Sequence, residues 1–94
     1  MRFKVTLSAR AEGQLRALAP APKREVRRTL RRMVDDPYPP GFRQLERPEV
    51  LYRVRVGDYR IIFEPGPGRR EVTVTRIAHR SVAYKGLERE LLDD

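Results

Sequence analysis

Gly57-Asp58 constrains this chain more than any other pair of residues. It separates two runs in which apolar and polar residues alternate, Leu51 to Val56 and Tyr59 to Glu64. A glycine-containing pair between two such runs reads as a two-residue hairpin turn. The turn fixes the register: Val56 pairs with Tyr59 and Arg55 pairs with Arg60. Opposed residues share a face, so both guanidinium groups project the same way, and Arg53, two residues before Arg55, adds a third. Tyr52, Val54, Val56, Tyr59, Ile61 and Phe63 fall on the other face as an apolar stripe. Like charges directly opposite destabilise a sheet. Such a face is either solvated and balanced by neighbouring or partner carboxylates, or it is built for an anion that comes to it.

The remaining elements assemble around this hairpin. Phe3, Val5 and Leu7 alternate with Lys4 and Thr6, which predicts a short strand with one buried face. Ser8 is placed to cap a helix running to about Leu18, with Ala11, Leu15 and Leu18 inward. Pro20-Ala21-Pro22 ends it and starts a second helix, since proline fits a first turn. That helix runs from about Pro22 to Val34, with Val26, Leu30, Met33 and Val34 inward. Lys23, Arg24, Arg27, Arg28, Arg31 and Arg32 cover its outer side, and Asp35-Asp36-Pro37 stops it. Tyr38 to Glu49 reads as a loop pinned by Phe42 and Leu45. Three strands follow, Val50 to Val56, Tyr59 to Glu64 and Glu71 to Ala78, whose short connections favour antiparallel pairing. The expectation is an α+β fold of two layers, an N-terminal strand and helical hairpin on a mainly antiparallel four-stranded sheet. Tyr84 to Asp94 is a basic-to-acidic tail, expected to be a short and mobile helix on the spacing of Leu87, Leu91 and Leu92.

At 94 residues the chain is one domain, spanning 1–94. It has no cysteine, hence no disulfide and no thiolate metal site or nucleophile. No stretch approaches the roughly 18 apolar residues of a membrane span, and Met1-Arg2-Phe3-Lys4 does not open a signal peptide. A soluble cytoplasmic protein is expected. The net charge is +8, from 21 basic and 13 acidic residues. Only Lys4, Lys23 and Lys85 are lysines; the rest of the excess is arginine, which suits bidentate contact with phosphate or carboxylate. An excess of this size implies a polyanionic partner, nucleic acid or an acidic protein.

The last strand leads into Arg76-Ile77-Ala78-His79-Arg80-Ser81-Val82-Ala83-Tyr84, which concentrates polar and ionisable groups. His79 is the only histidine and cannot make a metal site without other ligands. The carboxylates are scattered, with no two-metal grouping. RNA can be cut without a metal when its own 2′-hydroxyl is the nucleophile. The protein must then align that oxygen with phosphorus, stabilise phosphoryl charge and assist proton transfer at both ends. Arginine serves the charge, and tyrosine or histidine the protons.

The whole chain resembles the RelE/ParE toxin superfamily, and more closely its RelE-type ribonuclease branch. The resemblance rests on the strand and helical hairpin, Gly41-Phe42-Arg43-Gln44-Leu45, the hairpin from Leu51 through Arg53, Arg55 and Gly57-Asp58-Tyr59-Arg60 to Phe63, and the terminal Arg76-Ile77-Ala78-His79-Arg80 with Tyr84. It implies the toxin of a type II toxin–antitoxin module, a ribosome-dependent endoribonuclease that cuts messenger RNA in the A site by metal-free 2′-hydroxyl attack, leaving a 2′,3′-cyclic phosphate. No cofactor is implied. The resemblance matches Arg53 and Arg55 to catalytic basic residues that are often lysines, Arg60 to the arginine that binds the scissile phosphate, Arg80 to one supporting the leaving oxygen, and Tyr84 to the tyrosine that orients or deprotonates the 2′-hydroxyl. His79 is an alternative proton carrier. Arginines at 53 and 55 cannot shuttle protons near neutrality, so their role is electrostatic. The arginines of the second helix are a further RNA-backbone surface. Implied partners are the ribosome, messenger RNA and an antitoxin encoded beside the toxin, with Leu87, Leu91 and Leu92 as antitoxin contacts and operator DNA reached only through the antitoxin. The alternative within the superfamily is a ParE-like toxin that inhibits DNA gyrase without cutting RNA. A third is a degenerate partner-binding domain.

Overall fold

The computed structural model describes residues 2–38, 42–45 and 51–86. The expected alternation at the start becomes β1 (Lys4–Leu7). Ser8 caps α1 (Ala9–Ala17), its Oγ accepting from the Ala11 amide at 3.1 Å. Pro20 opens α2 (Pro20–Asp35), so the second helix begins two residues before its expected start. The strands are β2 (Arg43–Gln44), β3 (Tyr52–Val56), β4 (Tyr59–Pro65) and β5 (Glu71–His79).

The expected four-stranded sheet is corrected to five strands, in the order β1-β5-β4-β3-β2. The extra strand is β2, which lies in the stretch read as a loop and pairs antiparallel with β3 through Arg43↔Arg53 and Gln44↔Tyr52. A strand of two residues has no periodicity to read. It is defined only by its pairing with the first two residues of β3, Tyr52 and Arg53. At the other edge β1 runs parallel to β5, from Lys4↔Glu71 to Leu7↔Val74, so the sheet is mixed.

Both helices cover one face. Ala11, Val26, Met33, Val54, Val56, Ile61, Phe63, Val72, Val74 and Ile77 form the core between the layers. The apolar positions of β5 are spaced two and then three residues apart, at 72, 74 and 77. The pairing registers this break: Ile62 faces Arg76 but Phe63 faces Val74, leaving Thr75 as the extra residue of a bulge. The bulge puts Ile77 on the core side and Arg76 on the other. Beyond the end of β1, the Ile77 amide finds its acceptor in the Gln14 side chain of α1, at 2.7 Å. Among the described residues, no helix is long and apolar enough to cross a membrane.

Candidate functional site

The hairpin has the expected register, Val56↔Tyr59 and Arg55↔Arg60. Gly57 holds φ at +58°, a conformation that L side chains resist and glycine accepts. Strand alternation then lays out the face away from the helices. One row across the sheet is Arg43, Arg53, Ile62 and Arg76; the next is Arg55, Arg60 and Ala78. Arg53 therefore has arginines beside it on its own strand and across from it on β2.

Residues 80–86 fold back over this face as a series of turns. Ala83 is fully buried against Leu51 and Ile62 in a second small core. The Arg80 amide donates to the Asp58 carbonyl at 2.7 Å, which ties the turn to the hairpin tip. Tyr84 remains 40% exposed and lies close enough to Arg53 to act on its charge. Partial burial and then the Arg55 charge push the Arg53 guanidinium below the ordinary arginine range. Tyr84 acts in the opposite direction, and Arg60 and Arg43 add further repulsion. One half-buried cation thus feels Arg55, Tyr84, Arg60 and Arg43 together. Chemically, such a cluster offers an anion several planar N–H forks, and a phosphate brought there would offset the repulsion among them.

Arg60 turns its Nη1 back onto the turn, donating to the Gly57 carbonyl at 3.1 Å and the Tyr59 carbonyl at 2.9 Å. A phosphate must draw it off these carbonyls or meet its other edge. Arg80 sits at the same end of the sheet, with Nε 3.8 Å from Asp58 Oδ1; both side chains are mostly exposed, so the pair contributes little.

His79 stands elsewhere. Its register partner is Tyr59, and the two rings meet edge to face at 5.6 Å, which puts the imidazole on the helix side of the sheet. Its Nδ1 accepts from the Ser81 amide at 3.2 Å and lies 2.9 Å from Ser81 Oγ. The helix cations are also apart. Lys23, Arg24, Arg27, Arg28, Arg31 and Arg32 lie outside the stripe of α2 that buries Val26 and Met33, and that stripe packs on the face opposite Arg53. They form a second basic surface. Leu87, Leu91 and Leu92 lie outside the described residues. Among the described residues, no three His, Cys, Asp or Glu side chains are grouped as metal ligands.

Two members of this face escape sequence reasoning. Arg43 reads as a loop residue, and only its pairing with Arg53 brings it in. Arg76 reads as part of a polar run, although its isolation among Val72, Val74 and Ile77 is a signal of burial; it is 7% exposed.

The family model described as the ParE toxin of type II toxin–antitoxin system, parDE, matches residues 5–84. The chain belongs to this toxin family. Its fold is similar to the toxin–antitoxin complex RelBE2 from Mycobacterium tuberculosis, at TM-score 0.74 and 21% identity, covering 85% of this chain and 100% of that one. It is similar to the archaeal RelE–RelB complex from Pyrococcus horikoshii, at TM-score 0.73 and 24% identity, covering 88% and 100%. A mutant of E. coli toxin RelE in the free state aligns over 99% of this chain and 97% of its own, at TM-score 0.74 and 15% identity. No curated protein matches. The chain is thus a toxin of the RelE/ParE superfamily, with the two branches undivided at this level of likeness.

Proposed function

We propose that this toxin is a ribosome-dependent endoribonuclease of the RelE type. The observation that carries the reading is the sheet register that sets Arg43 beside Arg53 and Arg55 opposite Arg60 on one face, with Tyr84 near enough to act on the Arg53 charge. In-line cleavage by the substrate's own hydroxyl uses a cationic cluster for the phosphoryl charge and a proton carrier near it. The 2′-oxygen attacks phosphorus, its proton passes to an acceptor, and the bond to the 5′-oxygen breaks, leaving a 2′,3′-cyclic phosphate. Arg60 and Arg53 hold the phosphoryl oxygens as charge builds on them. Arg55 and Arg43 carry the flanking backbone. Tyr84 orients the 2′-hydroxyl and, in its phenolate form, takes its proton; Arg80 supports the departing 5′-oxygen electrostatically while water gives that oxygen its proton. His79, on the other side of the sheet, has no part in this arrangement. The reaction as drawn uses no metal and no cofactor.

The basic side of α2 is a separate grip for ribosomal RNA, so the ribosome supplies alignment that the small site lacks. A cognate antitoxin, the partner seen in the RelE–RelB and RelBE2 complexes, neutralises the cationic face through acidic groups. Any contact with operator DNA is made through that antitoxin.

The family model itself, a ParE toxin, favours one other reading, inhibition of DNA gyrase without RNA cleavage. Producing the toxin in growing cells separates the two. Shortened messenger RNA and halted protein synthesis support the ribonuclease; gyrase trapped on cleaved DNA with messenger RNA intact supports the alternative.

A further inference from the structure

Arg76 is the least exposed charged residue of the site face, at 7%. Its Nη1 donates to the Ala83 carbonyl at 3.0 Å and to the Lys85 carbonyl at 2.7 Å. These carbonyls lie on either side of Tyr84 in the chain. One guanidinium nitrogen therefore holds both flanks of the residue assigned to the proton. Burying a charge is costly unless hydrogen bonds satisfy it, and a leucine at 76 would extend the apolar patch of Ile62 and Ala83 at no such cost. The bulge at Thr75 is what turns Arg76 to this face, and Gln14 holds the next residue's amide. The clamp thus starts from the most constrained end of β5.

We infer that Arg76 is a positioning residue: it acts on cleavage through Tyr84, by fixing the turn that carries it. This deepens the ribonuclease reading and rests on it. The clamp can be tested independently in the free protein.

In the wild-type protein, NMR should resolve the Arg76 Nη protons as separate, slowly exchanging signals at neutral pH. A single averaged, rapidly exchanging signal overturns the clamp. In Arg76→Met, the backbone order parameter at Tyr84 should fall from the rigid value of about 0.85 to below about 0.6, and Arg76→Lys should recover part of it. Unchanged order at Tyr84 in a folded variant overturns the inference. On translating ribosomes, Arg76→Met should lower kcat at least tenfold with KM within about twofold. In a Tyr84→Phe background it should cost almost nothing more, because the two act as one unit. Additive losses in that cycle overturn the positioning role. If the wild type cuts no RNA, the ribonuclease reading fails while the NMR results still decide the clamp.

Discussion

Arg55 and Arg60 stand directly opposite each other across the β3–β4 hairpin, on the face that the helices leave open. Opposed like charges cost roughly 0.2–1 kcal/mol, and the hairpin holds them together because Gly57 closes it and the apolar stripe beneath is buried. If this face is the anion site proposed above, the fold gives up stability to keep it. The trade has measurable consequences.

Arg55→Gln should make the free toxin more stable while impairing cleavage. The melting temperature should rise by about 1–5 °C at low salt, and the gain should shrink in high salt as screening removes the repulsion. A loss of stability in thermal melts would show that Arg55 is paired in the free protein rather than opposed.

The two basic surfaces should separate in binding. Salt titrations of RNA binding should show Arg60→Ala reducing the slope of log affinity against log salt by about 0.7, one phosphate contact. Arg27→Ala with Arg31→Ala should weaken association with ribosomes yet leave the single-turnover cutting rate at saturation within about twofold, since these residues lie on the far face of the sheet.

Gly57→Ala should destabilise the fold by about 1–2 kcal/mol, read as the shift in a urea unfolding curve. The cost comes from the backbone: φ of +58° is unfavourable for alanine, while the added methyl would meet Glu25 Oε2 only at 3.5 Å, an ordinary contact. Since this turn sets the Arg55–Arg60 register, cleavage should fall further than stability alone explains.

Alkaline pH should weaken the fold through Tyr38. Its ring packs against Phe42, Tyr52 and Phe63, and burial first, then Tyr52, pushes its hydroxyl above the usual tyrosine value of 10.0. The folded state then keeps a proton that the unfolded chain releases. This contribution to stability is fully present below pH 10 and is lost as pH rises through the raised value. Tyr38→Phe should flatten the fall of stability above pH 10, and ultraviolet titration of the wild type should show one tyrosine ionising late.

Most of the scaffold was legible because it follows from local rules. The Gly57-Asp58 turn fixed the hairpin register, Ser8 marked the first helix start, Pro20-Ala21-Pro22 marked the second to within two residues, and alternation marked the main strands. What could not be read depends on distant partners. β2 is a strand only by virtue of its pairing with β3, and Arg43 joins this face only through β2. His79 and Arg80 are adjacent in the chain and equally polar, yet His79 packs on Tyr59 at the helix side while Arg80 runs on to the hairpin tip. The uneven spacing of Val72, Val74 and Ile77 was visible, but only the pairing reveals that it marks a bulge and aims Arg76 at the backbone around Tyr84.

The most direct test of the central claim is to map messenger RNA ends after adding the toxin to translating ribosomes, with Tyr84→Phe and Arg60→Ala proteins alongside. The account predicts new ends at the A-site codon carrying 2′,3′-cyclic phosphate, reduced at least a hundredfold in both variants. Intact messenger RNA, under conditions where the same preparation arrests growth, would contradict it and make gyrase the target.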